Sequence, residues 1–298
     1  MQYKRRDFIR VGSQLAAALA LFPAACIDNK QNAGKPGADT PGTGRQLDIF
    51  GLQLYTLRDD MPKDPKGVLK QVSSFGYKQI ESYEGPQGMF WGMGHTGFKN
   101  YMDELGMVIV SSHCDMNKDF ERKAAEAAAI GMKYLVCPYL GAQKSLDDYK
   151  RFADTFNEKG EICRKNGIRF AYHNHDYSFK QLDGQYPQDV MMNNTDPATV
   201  DYEMDIYWVV TAGESAEAWL KKYKDRFRLC HVKDRTKGAT EAADTVTLGQ
   251  GSINFSEILR VAQDNGMQYF IVEQEKYAGT TPLKAAADNA DYMKALTI

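Results

Sequence analysis

The sequence predicts an α/β fold of the closed (β/α)8 barrel type, on three observations. From Leu47 to Ile298 there are 252 residues, which gives about 31 for each of eight strand–helix units. Short apolar runs alternate along this stretch with segments whose apolar residues fall three and four apart. Glycine recurs where a helix must stop and a strand begin: Phe75-Gly76-Tyr77, Leu105-Gly106-Met107, Ile130-Gly131-Met132, Asn166-Gly167-Ile168 and Asn265-Gly266-Met267. A residue that adopts a left-handed backbone ends a helix and lets the chain turn back. Five such junctions indicate a parallel sheet with helical crossovers. No G-x-G-x-x-G or G-x-x-x-x-G-K-[ST] follows a strand, so the phosphate cradles of dinucleotide and P-loop folds are missing.

The strands are expected at Asp48–Leu54, Tyr77–Ser82, Met107–Ser112 and Lys133–Pro138, then at Ile168–Asn174, Thr199–Asp205, Arg228–Val232 and Gln268–Glu273. Each is a short run rich in apolar residues. Amphipathic helices are expected between them at Pro65–Phe75, Asp119–Ile130 and Leu146–Lys165, and later at Ala216–Tyr223, Phe255–Asn265 and Pro282–Leu296.

Residues ahead of the barrel read as an address. Lys4-Arg5-Arg6-Asp7-Phe8-Ile9-Arg10 precedes an apolar, alanine-rich stretch from Val11 to Ala25, the pattern of an export signal of twin-arginine type over residues 1–25. Phe22-Pro23-Ala24-Ala25-Cys26 then resembles a lipobox, with Pro23 where an aliphatic residue is usual. Cys26 is either lipid-anchored or left behind by simple cleavage, and residues 26–46 form a flexible linker to the catalytic domain at 47–298. The expected location is the periplasm, free or membrane-anchored. No apolar run reaches the roughly 18–20 residues that span a bilayer.

Composition narrows the partners. The chain is 43% hydrophobic and 26% charged, with a formal charge of −2. Residues 1–25 hold four basic side chains and one acidic, so the remainder carries −5. That balance excludes nucleic acid as an expected partner and points to a small molecule. Apart from Cys26 the cysteines are Cys114, Cys137, Cys163 and Cys230, none in a C-x-x-C pair. Cys137 and Cys230 lie in apolar runs and read as buried thiols.

In barrels of this kind chemistry is built at the C-terminal ends of the strands. The last four expected strands end in Tyr172-His173-Asn174-His175, Glu203-Met204-Asp205, His231-Val232-Lys233-Asp234 and Val272-Glu273-Gln274-Glu275. One residue from each gives His173, Asp205, His231 and Glu273, ringing one barrel mouth. Two imidazoles with two carboxylates suit a divalent ion (Mn, Zn, Co, Fe or Mg) better than Ca²⁺. Alternation turns Glu203, Asp205, His231, Lys233, Glu273 and Glu275 inward, and Met204, Cys230 and Val232 toward the helices. Glu81, His113, Tyr55 and Trp208 are substrate-contact candidates, with aromatic rings suited to sugar faces.

These segments resemble the sugar phosphate isomerase/epimerase family with a xylose isomerase-like TIM barrel. The resemblance rests on Gly51-Leu52-Gln53-Leu54-Tyr55-Thr56-Leu57-Arg58, Gly76-Tyr77-Lys78-Gln79-Ile80-Glu81, the strand ends above and Leu248-Gly249-Gln250-Gly251-Ser252-Ile253-Asn254-Phe255. It implies a divalent-metal-dependent isomerase or epimerase that removes a proton next to a sugar carbonyl. Relatives commonly carry Glu where this chain has His173, and in epimerases that Glu and the eighth-strand Glu flank one carbon. Here Glu273 is the shared base, and His175, Glu203 or Lys233 stands as the second proton-transfer group. An unphosphorylated sugar or keto-sugar is the expected substrate. A lyase acting on 3-keto-glycosides by β-elimination is the alternative, and a non-catalytic sugar-binding lipoprotein is the alternative of another class.

Overall fold

A computed structural model describes residues 45–239 and 244–298. The expected export segment and Cys26 lie outside the described residues. Eight parallel strands close into a barrel: β1 (Gly51–Gln53), β2 (Gln79–Tyr83), β3 (Val108–His113), β4 (Tyr134–Cys137), β5 (Arg169–His173), β6 (Val200–Asp205), β7 (Phe227–Val232) and, after a small antiparallel ribbon of β8 (Asp234–Arg235) and β9 (Thr245–Val246), β10 (Tyr269–Val272). β10 pairs with both β7 and β1, which closes the ring.

Helices α1 (Pro65–Phe75), α2 (Gly94–Glu104), α3 (Phe120–Ala129), α4 (Leu146–Lys165), α5 (Pro187–Asn193), α6 (Ile206–Thr211), α7 (Ala216–Lys222), α8 (Phe255–Asp264) and α9 (Pro282–Ala295) cover the outside. All five junction glycines adopt positive φ; Gly76, at 104°, caps α1 with its N–H on the Ser73 carbonyl. The longest helix, α4, begins at a capping box in which Ser145 Oγ accepts from the Asp148 N–H and Asp148 Oδ2 accepts from the Ser145 N–H.

The apolar interior has two parts. A large layer between barrel and helices includes Cys230, Val232 and Met204, as strand alternation requires. A smaller plug of Val110, Tyr134, Val136, Ala171, Leu229 and Ile271 fills the barrel itself. Near the N-terminal ends of the strands the Tyr134 hydroxyl and Arg169 guanidinium both donate to the buried Asp201 carboxylate. Polar side chains occupy the barrel above the plug. All four cysteines of the described residues are buried and free.

Four elements depart from the expected ones: β1, α2, α5 and α6. β1 begins three residues later than expected and ends one residue early, where Gln53 Oε1 accepts from the Tyr55 N–H and starts a 3-10 turn at Leu54–Leu57. α2, α5 and α6 were not expected. α2 contains Gly94 and Gly97, poor helix formers, and is held by burying Phe98 and Met102. α6 starts directly at the end of β6, where Asp205 Oδ1 accepts from the Trp208 N–H.

Candidate metal centre and cavity

The upper end of the barrel gathers His173, Asp205, His231 and Glu273 into one buried quartet whose ligand atoms lie within 4.8 Å of one another. His173 Nε2 stands 3.1 Å from His231 Nδ1 and 3.4 Å from Asp205 Oδ2. His231 Nδ1 is 3.2 Å from Glu273 Oε2. A tetrahedral ion with bonds near 2.0–2.1 Å holds its ligand atoms about 3.3 Å apart.

The supporting contacts select the ligand atoms. His173 Nδ1 donates to the Pro138 carbonyl at 3.1 Å, which leaves Nε2 as the lone-pair nitrogen. His231 Nε2 donates to Glu81 Oε1 at 2.7 Å, which leaves Nδ1. Burial opposes charge on His231, but Glu203, Glu273 and Asp205 outweigh it and hold the ring protonated, so Nδ1 donates to His173 Nε2; a divalent metal fits this donor set by taking that proton's place. Asp205 is steadied by Asn174, whose amide accepts from the Asp205 N–H and donates to its carbonyl. One Asp205 carboxylate oxygen caps α6; the other faces the quartet.

Lys233 touches the same carboxylates. Its ammonium donates to Glu273 Oε2 at 3.0 Å and to Glu275, lies 3.5 Å from Asp205 Oδ2 and rests over the Tyr207 and Trp208 rings. Burial opposes its charge, but Glu273, Asp205 and Glu275 outweigh that and hold Lys233 protonated, well above its ordinary value. Burial likewise works against ionising Glu273, yet Lys233 and His231 keep its carboxyl well below the usual range. His175 goes the other way: burial, helped by the neighbouring His173, pushes it down to about 3, so it is neutral. Its Nδ1 is buried without a hydrogen-bond partner.

A cavity of about 530 Å³ opens over this centre. His173, Glu273 and His113 meet it from below, and Tyr55, Tyr139, His175 and Trp208 from the sides. The rings of Trp208 and Tyr139 flank His175 with centroids 5.1 and 4.9 Å away. Glu84, Asp115 and Glu275 also line it, with Lys118 the one lysine or arginine among the lining residues; Glu84 is paired with Lys123 and Glu275 with Lys233. Glu84, Asp115 and Lys118 had not been singled out, although they follow the ends of β2 and β3, where such residues belong.

Glu81 and Glu203, expected at the substrate, are instead fully buried and absent from the cavity lining. Both point to the barrel axis one layer beneath the metal centre, because their strand positions lie below the last inward-facing residues. Glu81 accepts from Gln53 Nε2 at 2.7 Å and from Ser111 Oγ at 2.6 Å, and lies 3.2 Å from His113 Nε2. Glu203 Oε2 pairs with His113 Nε2 at 2.8 Å. Burial opposes charge on His113, but Glu81 and Glu203 raise it to about 9. Burial and the Glu81 charge push the Glu203 carboxyl up. Gln53 and Ser111 were missed; a polar residue facing inward on an apolar strand was the available signal.

A family model for the xylose isomerase-like TIM barrel matches residues 69–296. The chain belongs to that family. Among curated relatives of this xylose isomerase-like barrel is an inosose dehydratase of Clostridium perfringens, 30% identical over 168 residues, 51% of this chain and 56% of the relative. The chain thus spans about half the length of the curated relatives it matches. A solved sugar phosphate isomerase/epimerase from Parabacteroides distasonis superposes with a TM-score of 0.73 at 27% identity, covering 87% of this chain and 98% of that one. The IolI protein, solved with a zinc atom, shares the fold at a TM-score of 0.67 and 14% identity, covering 82% and 95%.

Proposed function

We propose that this barrel is a metal-assisted enzyme that abstracts a proton next to the carbonyl of an unphosphorylated sugar or keto-sugar. The observation that carries the reading is the buried quartet of His173, Asp205, His231 and Glu273 at the floor of a cavity large enough for a sugar. A divalent ion held there supplies Lewis-acid polarisation of the carbonyl. Glu273, ionised and lining the cavity, accepts the proton. Trp208 and Tyr139 offer ring faces to the substrate, and the closed floor excludes water from beneath.

Re-protonation at the same or the next carbon gives epimerisation or isomerisation and needs a second group across the substrate. His175 borders the cavity and is the candidate; being neutral, it must first take up a proton to act as that acid. Elimination is the second reading and has specific support. The buried Lys233 ammonium donates to Glu273 beside the cavity, a positive charge next to the base, and curated relatives carry the name inosose dehydratase. With one lysine, no arginine and three carboxylates besides Glu273 in the lining, the cavity favours a neutral substrate over a phosphate ester.

The test is incubation of the metal-loaded protein in D₂O with 3-keto-glucosides and their 6-phosphates. Deuterium is expected at the carbon next to the ketone, with release of the aglycone marking elimination. No exchange on any keto-sugar refutes the reading. A tenfold preference for the phosphorylated form, about 1.4 kcal/mol, refutes the substrate class.

A further inference from the structure

Beneath the proposed metal centre lies a second quartet that the reaction does not use: Glu81, His113, Glu203 and His231, all buried, with ligand atoms within 4.8 Å of one another. We propose that this quartet is a second, inner divalent-cation site of zinc type, sharing the His231 ring with the outer centre. The inference holds whichever reaction the cavity performs.

Four features support it. The edges measured between donors are 2.7 Å from His231 Nε2 to Glu81 Oε1, 2.8 Å from His113 Nε2 to Glu203 Oε2, 3.2 Å from His113 Nε2 to Glu81 Oε1 and 3.6 Å from His231 Nε2 to Glu203 Oε1. The 3.2 and 3.6 Å separations bracket the roughly 3.3 Å edge of a tetrahedral zinc site, and the 2.7 and 2.8 Å ones are hydrogen bonds that an ion would replace. Second, Glu203 Oε1 is buried beside these donors and has no hydrogen-bond partner. A buried carboxylate oxygen left in that state is costly, and a cation removes the cost. Third, Glu81 has the outer support expected of a ligating carboxylate, from Gln53 Nε2 and Ser111 Oγ. Fourth, His113 borders the cavity and gives an ion a route in.

An ion on Nε2 takes the place of the proton that His231 donates to Glu81, leaving the ring as an imidazolate between two ions.

The experiment is elemental analysis of the purified chain after loading with Zn²⁺ alone and desalting, with anomalous scattering from zinc-loaded crystals. Two zinc ions per chain are expected, one on each side of the His231 ring. Glu203→Gln is expected to fold, by circular dichroism, and to hold one ion at the outer quartet. His113→Gln attacks the same quartet from the cavity side and is expected to give the same count. Wild-type protein that holds fewer than two ions, or variants that still hold two, overturn the proposal, and Glu81 then only orients His231. Asp205→Asn separates this idea from the outer centre: it is expected to remove the outer ion and keep the inner one. A wild-type count unchanged by Asp205→Asn would count against the outer centre instead.

Discussion

His231 faces two ways, with Nδ1 toward Asp205 and Glu273 and Nε2 toward Glu81. Its ring orientation therefore depends on residues that never meet the cavity. Glu273 is the opposite case, a side chain that both completes the quartet and borders the cavity. Glu273→Gln is predicted to keep the fold and to lose solvent-deuterium exchange by about 10²–10⁴-fold. Exchange at the wild-type rate would move the base to His175. The outer quartet was legible in the sequence because each member ends a strand and alternation fixes its inward face. Height along the barrel axis was not legible. Alternation states which face a side chain takes and says nothing of its layer, so Glu81 and Glu203 read as substrate contacts although they sit beneath the cavity.

The helices most readable in sequence were those with long amphipathic patterns: α1 and α4 match their expected limits residue for residue, and α3, α7, α8 and α9 come within one or two residues. The glycine-containing α2 and the short α5 and α6 escaped because tertiary burial, rather than propensity, makes them helical. At α4, Ser145→Ala removes the cap and is predicted to cost about 1 kcal/mol, lowering the melting temperature without touching turnover. Gly160 tests the fit of the same helix against β6. A Cβ there would stand 2.8 Å from Thr199 Oγ1 and 3.0 Å from Val200 Cγ2. Gly160→Ala is therefore predicted to destabilise by about 1–3 kcal/mol, read from thermal or denaturant unfolding. A variant as stable as wild type would show that α4 can shift outward freely.

For the whole molecule, a metal held by the buried ionisable cluster along the barrel axis would tie stability to its binding. Chelation is predicted to abolish exchange, and an ion at a hundred times its Kd to add about 2.7 kcal/mol. For a domain of this size that raises the melting temperature by about 5–10 °C, measured by calorimetry with and without chelator. Equal melting temperatures would detach the metal from folding. The place where the barrel's first described residue meets its last bears on how the barrel is presented. Arg45 and Ile298 exchange two backbone hydrogen bonds of 2.9 Å, and Gln46 bridges to Thr297. Arg45 leads into β1 and Ile298 follows α9, so both leave from the face where strands begin, opposite the one where Glu273 and His173 gather. A handle attached at Ile298, whether a purification tag or a resin, would therefore hold the barrel by the face away from the cavity and leave the cavity mouth open.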